Sequence, residues 1–252
     1  MTDSPPAIVE FRNVTCAYAE RVAVDRLNLQ VARGEAVALV GRSGAGKSTL
    51  LKLVNRLLVP DQGQVLVEDR DTREWDPIAL RRRTGYVLQH IGLFPTMTVE
   101  QNVSVVPQLE GWIPARQRSR AHELLELVGL PPGEFADRWP HELSGGQQQR
   151  VGVARALALE PPVVLMDEPF GALDAVTRNE LQTLVRRIQR DLQQTLLLVT
   201  HDIAEAAVLG TRIGVLDDGV LIACDTPAAI WNSPHPRVRQ LLDAVPATPV
   251  HR

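Results

Sequence analysis

A glycine-rich segment that ends in lysine and serine is the clearest place for chemistry in this 252-residue sequence. Residues 41–48 read Gly-Arg-Ser-Gly-Ala-Gly-Lys-Ser and satisfy the phosphate-loop pattern G-x-x-x-x-G-K-[ST]. Glycines let backbone N–H groups wrap around phosphate oxygens, and the helix that follows adds its positive end. Lys47 would reach the β- and γ-phosphates of a nucleotide, and the Ser48 hydroxyl would ligate Mg²⁺. The expected nucleotide-binding residues are Gly41, Arg42, Ser43, Gly44, Ala45, Gly46, Lys47, Ser48 and Thr49.

Two adjacent carboxylates form a second candidate site. The sequence Val-Val-Leu-Met-Asp-Glu-Pro predicts a buried strand at 163–166 that ends in Asp167 and Glu168. Burying two neighbouring charges is costly unless a cation or water meets them. Asp167 is suited to hold Mg²⁺, directly or through water, and Glu168 to orient or deprotonate an attacking water. An exposed turn capped by Pro169 is the alternative for this segment taken alone.

A second helix start with two glycines precedes that strand. Residues 143–150 read Leu-Ser-Gly-Gly-Gln-Gln-Gln-Arg, and Ser144 is a good N-cap residue. Gly145 and Gly146 would let a ligand approach the positive end of this helix. Because the chain already has one phosphate loop, a second anion-binding helix end indicates a site shared between two chains. A plain capped helix is the alternative for this segment alone.

The elements that must position these groups alternate between strands and helices. The apolar run at 36–40 predicts a buried strand before the phosphate loop, and 47–58 a helix after it. Between about 90 and 158 the pattern is helical with little strand signal, which indicates a helical insertion into an α/β core. Further elements are predicted as strands at 65–67, 85–88, 163–166 and 196–200, a helix at 116–128 and a hairpin around 217–219. One helix face is predicted from Leu181, Leu184, Val185, Ile188 and Leu192.

Composition excludes several classes of protein. There are 27 basic and 30 acidic side chains, and a net charge of −3 argues against a protein that coats DNA or RNA. Cys16 and Cys224, the two cysteines, cannot build a disulfide framework or a structural zinc site. No apolar run approaches the roughly 20 residues of a membrane-spanning helix. The N-terminus lacks the pattern of a secretory signal, so we expect a protein that works in the compartment where it is made.

Taken together, the motifs resemble those of the ATP-binding subunits of ABC transporters. The resemblance rests on Leu-Ser-Gly-Gly-Gln lying between a phosphate loop and a Met-Asp-Glu-Pro strand, in that order, and it covers about residues 9–242. It implies an α/β fold, with a P-loop ATPase core of the ABC type, an inserted helical subdomain and an antiparallel β subdomain. The implied divisions are an ATPase domain at 1–244, with its core at about 8–88 and 159–244 and its helical subdomain at 89–158, and a tail at 245–252.

The resemblance also assigns roles to single residues. Tyr18 matches the aromatic residue that stacks on adenine, with a strand aromatic in the core as the alternative. Gln89 matches the glutamine that links the γ-phosphate side to the membrane partner, and His201 matches the histidine that contacts the γ-phosphate. Residues 171–174 match the loop that runs across the dimer interface. The implied catalytic residues are Glu168, His201, Gln89 and Lys47, and the implied Mg²⁺ ligands are Ser48, Gln89 and Asp167.

A head-to-tail dimer that holds two ATP molecules with Mg²⁺ follows from the same resemblance. Each ATP would lie between the phosphate loop of one copy and a helix start of the other, formed by Ser144, Gly145, Gly146 and Gln147. Binding would close the dimer and hydrolysis would reopen it. Integral membrane permease subunits would convert this closure into transport. The chain would then be cytoplasmic and peripheral on the inner face of the cell membrane, with no nucleic-acid partner.

The residues after Gln89 indicate a class of transporter. The sequence at 91–102 is similar to that of importers of quaternary-amine osmoprotectants such as glycine betaine, choline or carnitine. It reads Ile-Gly-Leu-Phe-Pro-Thr-Met-Thr-Val-Glu-Gln-Asn. Such importers receive solute from an extracytoplasmic solute-binding protein. His90 departs from the second glutamine expected there. Importers of amino acids or other small solutes, and exporters, are alternatives. A soluble ABC ATPase is disfavoured, because the chain has one phosphate loop and no heptad run.

Overall fold

The strands and helices alternate along most of the chain. The computed structural model describes residues 6–19 and 21–243, so the predicted tail at 245–252 lies outside the described residues. The strands are β1 (Ala7–Tyr18), β2 (Arg21–Ala32), β3 (Ala36–Val40), β4 (Gln62–Val67), β5 (Arg70–Asp71), β6 (Thr84–Val87), β7 (Val163–Asp167), β8 (Thr195–Thr200), β9 (Arg212–Asp217) and β10 (Val220–Asp225). The helices are α1 (Lys47–Val54), α2 (Pro77–Arg83), α3 (Val99–Leu109), α4 (Pro114–Leu127), α5 (Pro132–Phe135), α6 (Gly145–Ala156), α7 (Ala175–Asp191), α8 (Ile203–Leu209), α9 (Pro227–Trp231) and α10 (Pro236–Asp243).

Two sheets carry these strands. The larger has six strands in the order β10-β9-β3-β8-β7-β6, and only β10 runs antiparallel to its neighbour. The smaller sheet, β2-β1-β4-β5, is antiparallel throughout. In the larger sheet Val40 pairs with Thr200, and Asp167 pairs with Val199. Because parallel strands end at one edge, the segments after β3, β7 and β8 meet there.

The larger sheet is buried on both faces. In β3, Ala36, Ala38 and Val40 belong to the hydrophobic core that also includes residues of helices α3, α4, α6, α7 and α8. The alternate residues Val37 and Leu39 belong to a second core that includes residues of α1 and the antiparallel sheet. All five are at most 1% exposed, as expected for a continuous apolar run in a central parallel strand. The phosphate loop therefore follows a strand that is buried on both faces.

The segment between β6 and β7 contains helices and loops but no strand. Every residue from 88 to 162 is described, and within this range lie α3 to α6 and one short 3-10 helix at Pro140–Glu142. The predicted helical insertion is therefore confirmed, while its exact boundaries at 89 and 158 stay a prediction. In residues 6–19 and 21–243 no helix combines the length and the apolar character needed to cross a membrane.

Two predicted helices end earlier than the sequence pattern indicates. The helix predicted at 47–58 stops at Val54, because Arg56 adopts a left-handed backbone with φ 53° and the N–H groups of Leu57 and Leu58 turn back to Lys52 O. Helix α7 stops at Asp191, so Leu192 is 52% exposed and does not belong to the buried face. The other four residues predicted for that face, Leu181, Leu184, Val185 and Ile188, are buried.

Candidate nucleotide site

The phosphate loop joins β3 to α1 and leaves the start of α1 open. Gly46 precedes the helix with φ 95°, and a Cβ on it would lie 2.1 Å from Ala23 O, so only glycine fits. No side chain caps α1, and its first turn has no acidic residue. The first N–H groups of a helix have no partner within the helix and carry its positive end. This helix start therefore favours an anion.

Lys47, the first residue of α1, is folded back over the loop. Its Nζ donates hydrogen bonds to Gly41 O at 2.8 Å and Arg42 O at 3.1 Å. The side chain is buried, and among the described residues it forms no ion pair at hydrogen-bonding distance. Burial lowers the pKa of Lys47, while the nearby carboxylates of Glu168 and Asp167 act in the opposite direction. A buried cation held only by carbonyl groups is suited to meet phosphate oxygens.

Ser48 and Asp167 lie side by side at the edge of the sheet. The Ser48 hydroxyl donates to Asp167 Oδ1 at 2.8 Å, although the two residues are 119 positions apart. Hydroxyl and carboxylate oxygens are hard ligands of the kind that Mg²⁺ prefers. The predicted pair of Mg²⁺ ligands is therefore brought together by the start of α1 and the end of β7, and its donor set fits the ion.

Tyr86 also reaches this pair, and sequence reasoning missed it. Its hydroxyl donates to Asp167 Oδ2 at 3.4 Å, and burial and the Asp167 charge raise the pKa of Tyr86. The phenol therefore stays protonated and holds one carboxylate oxygen. The signal lay in strand pairing, since β6 runs beside β7 with Tyr86 opposite Leu165, two residues before Asp167.

Glu168 follows β7 in an unfavourable backbone conformation. Its φ is 43°, a left-handed value that costs a non-glycine residue about 1–2 kcal/mol. Its N–H donates to Val199 O at 3.0 Å, which fixes the turn on β8. Strain that the fold holds in this way concentrates at functional positions. His201 Nδ1 lies 3.3 Å from Glu168 Oε2, so the predicted base and histidine are in contact.

Tyr18 stands at the end of β1, beside the phosphate loop. Its hydroxyl is 3.5 Å from Thr49 Oγ1, and its side chain is 47% exposed. The alternative of a core aromatic is wrong, because a core residue would be buried. An exposed ring close to the loop is available to stack on a base.

Gln89 is not joined to the Ser48–Asp167 pair. It lies in the loop after β6, is exposed, and forms no hydrogen bond within the described part of the chain. It lines a cavity of about 450 Å³ together with Gly145, Pro169 and Leu173. Gln89 therefore faces the space between the α6 start and the loop after β7, and its assignment to Mg²⁺ stays a prediction.

Ser144 caps α6, as predicted. Its hydroxyl accepts from Gln147 N at 3.3 Å, and Gln147 Oε1 accepts from Ser144 N at 2.9 Å. Gly146 is buried against Thr177, whereas Ser144 and Gly145 are exposed. Among the described residues no hydrogen bond joins 144–147 to the phosphate loop. Within one chain, the two predicted halves of the nucleotide site are thus not joined by a hydrogen bond.

The chain resembles a large family of known proteins. A family model described as ABC transporter matches residues 24–171. The choline transport ATP-binding protein OpuBA of Bacillus subtilis is 47% identical over 228 residues, 90% of this chain and 60% of that protein. The glycine betaine/carnitine/choline transport ATP-binding protein OpuCA of Bacillus subtilis is 50% identical over 212 residues, 84% of this chain and 56% of that protein. The chain thus spans about 60% of the length of these relatives.

A solved structure shares the same architecture. A dimer of the ATP-binding cassette MJ0796, in a post-hydrolysis state bound to ADP and Pi, has a TM-score of 0.77 and is 36% identical. The match covers 87% of this chain and 98% of that one. Together with the two sheets and the inserted helices, this likeness confirms the predicted fold class.

Proposed function

The chain belongs to the ABC transporter family, and we propose that it is the ATP-binding and ATP-hydrolysing subunit of a membrane importer for quaternary amines such as glycine betaine, choline or carnitine. The observation that carries the proposal is a phosphate loop whose Ser48 meets Asp167, beside the Glu168–His201 pair, in a chain 47–50% identical to proteins named for choline, glycine betaine and carnitine transport.

Each residue of the site has a separate role in hydrolysis. Lys47 and the N–H groups at the α1 start bind the β- and γ-phosphates. Ser48 and Asp167 hold Mg²⁺, which neutralises charge on the phosphate oxygens when it is bound. Glu168 orients the attacking water and accepts its proton, while His201 holds Glu168 and contacts the γ-phosphate. Attack of that water on the γ-phosphorus breaks the bond to the β-phosphate oxygen and releases ADP and phosphate.

Two copies share each nucleotide in this proposal. The open α1 start binds ATP in one copy, and the α6 start of the other copy covers it with Ser144, Gly145, Gly146 and Gln147. Support comes from the exposure of Ser144 and Gly145 and from their separation from the phosphate loop of their own chain. A γ-phosphate between two positive helix ends attracts both, and its removal lets the copies part.

An open groove supports docking of a membrane permease. The groove has a volume of about 340 Å³ and is lined by α2, the loop after β6, α3 and α6. Leu88, Phe94 and Leu109 line the groove and leave apolar surface open to solvent, since they are 38%, 46% and 58% exposed. Arg81 and Arg155, which have no carboxylate partner among the described residues, add positive charge. An amphipathic helix of the permease with apolar and acidic side chains fits this chemistry. The chain would thus act on the inner face of the membrane, and a solute-binding protein would contact the permease on the opposite face.

An uptake measurement tests the proposal. A strain that lacks the gene is complemented with the wild type or with Lys47→Ala, and uptake of labelled glycine betaine, choline and proline is measured at high salt. We expect the wild type to restore uptake of a quaternary amine and Lys47→Ala to restore none, because the variant loses the cation that meets the phosphates. Equal uptake with the two proteins, or restoration of proline uptake alone, would contradict the proposal.

A further inference from the structure

One arginine of α6 holds the loop that carries Gln89. Arg155, in the last turn of the helix, donates from Nη1 to Gly92 O at 2.7 Å and from Nη2 to Ile91 O at 2.9 Å. Residues 89–93 form no other hydrogen bond in the part of the chain that the structure describes. These two bonds are therefore the hydrogen bonds that hold the middle of the loop, beside the packing of Leu93 on the core.

Both ends of the loop are fixed independently of Arg155. Val87 is still part of β6 and pairs with Met166. At the other end, buried Asn102 accepts from Phe94 N at 2.8 Å and donates to Phe94 O at 3.1 Å. The free stretch thus runs between a strand and α3, and Gln89 lies within it. Without the arginine, no hydrogen bond among the described residues would join this stretch to the rest of the molecule, and only the packing of Leu93 on the core would remain.

Arg155 has no carboxylate partner that would explain its position. It forms no ion pair among the described residues, although it is partly buried and burial lowers its pKa. Burying a cation is costly unless its donors are used. The planar guanidinium presents parallel donors, and here two of them meet adjacent carbonyl groups of one loop. The side chain is thus placed to hold a backbone, not to neutralise an acid.

We propose that Arg155 is the positioning residue for Gln89, because it fastens the loop at 89–93 to α6. The start of α6 carries Ser144, so one rigid helix connects the surface offered to the second copy with the loop that carries Gln89. Arg155 also lines the groove proposed for the permease, and a segment docked there would press on the same anchor. The proposal rests on the proposed function, since the task of Gln89 requires ATP in the site.

Kinetics of two Arg155 variants test the anchor. In the full chain, Arg155→Met should lower kcat for ATP hydrolysis by about tenfold or more, because misplacing a group near the reacting atoms is costly. KM for ATP should change by less than about threefold, since the phosphate loop and Tyr18 are untouched. Arg155→Lys keeps the charge with a single donor group and should recover part of kcat. Arg150→Met is the matched control, because Arg150 lies on the same helix but bonds Val128 O and Glu180.

Backbone relaxation measured by NMR gives a second readout that a loss of general stability would not reproduce. The order parameters of residues 89–93 should fall in Arg155→Met, while those of β7 keep their wild-type values. Unchanged order parameters at 89–93 with a normal kcat would overturn the proposal, and so would equal losses of kcat in Arg155→Met and Arg150→Met. If the wild type hydrolyses no ATP, the proposed function fails, but the comparison of order parameters still decides whether Arg155 anchors the loop.

Discussion

Replacing Gly46 by alanine should both destabilise the chain and abolish nucleotide binding. Gly46 has φ 95°, and an added Cβ would lie 2.1 Å from Ala23 O, which is a backbone atom that no side-chain rotation can move. The loop would have to shift away from β2. Because the same residue sets the start of α1, such a shift also displaces the N–H groups that meet the phosphates.

Two other glycines allow the backbone strain and the steric clash of Gly46→Ala to be measured separately. Gly111 has φ 73° with no atom within 4 Å of an added Cβ, so Gly111→Ala should cost only the left-handed backbone, about 1–2 kcal/mol. Gly133 has neither a positive φ nor a close neighbour, so Gly133→Ala should be neutral or stabilising by about 0.5–1 kcal/mol. Gly46→Ala adds a clash to the backbone cost. Overpacking costs about 1–3 kcal/mol, which gives a total of roughly 2–5 kcal/mol.

Urea unfolding, followed by the fluorescence of the four tryptophans, measures all three variants. Calorimetry with Mg²⁺ and ATP then measures binding. We expect the free energy of unfolding to fall in the order Gly133→Ala, Gly111→Ala, Gly46→Ala, and ATP binding to be lost only in the last. A Gly46→Ala chain that binds ATP, or one no less stable than Gly111→Ala, would refute the reasoning.

Three further substitutions have separate outcomes. Tyr18→Ala should weaken ATP binding by about 1 kcal/mol in calorimetry, with Tyr18→Phe close to the wild type, and equal affinities would exclude stacking. His201→Ala should reduce the hydrolysis rate on the order of tenfold or more without loss of ATP binding, because Glu168 loses its 3.3 Å contact; a normal rate would exclude that role. Burial raises the pKa of Glu205 above its ordinary value of 4.5, so the folded chain loses stability as pH rises from 4.5 through the raised pKa. In thermal melts Glu205→Gln should therefore gain stability relative to the wild type between acid and neutral pH, and a constant difference would contradict this.

The strands that frame the site could be predicted because their periodicity is strong. The runs at 36–40 and 163–166 are apolar on both faces, which in a chain of this length indicates central parallel strands. β1 and β2 were not predicted from their residues. Residues 27–31 of β2 do alternate between apolar and polar, but the register of the two strands shifts several times between Ala7 and Tyr18, and each irregularity interrupts the alternation elsewhere.

Side-chain roles could be predicted where the motif itself contains the residue. The Ser144 cap and the Ser48–Asp167 pair follow from local spacing and from the rule that parallel strands end together. Tyr86 and Arg155 could not be found this way, because their partners are chosen by strand order and by the packing of α6 on a loop 63 residues away. Helix α1 ends early because Arg56 adopts a left-handed backbone, and an arginine in the sequence does not indicate that conformation.

Assembly in the presence of ATP tests the central claim most directly. Glu168→Gln keeps the size of the side chain but removes the base, so ATP should bind and remain intact. Size exclusion with light scattering should then show a dimer of the Glu168→Gln chain with Mg²⁺ and ATP and a monomer with ADP, and Ser144→Arg added to that variant should prevent the dimer. A Glu168→Gln chain that binds ATP and stays monomeric would contradict the claim that the γ-phosphate joins two copies.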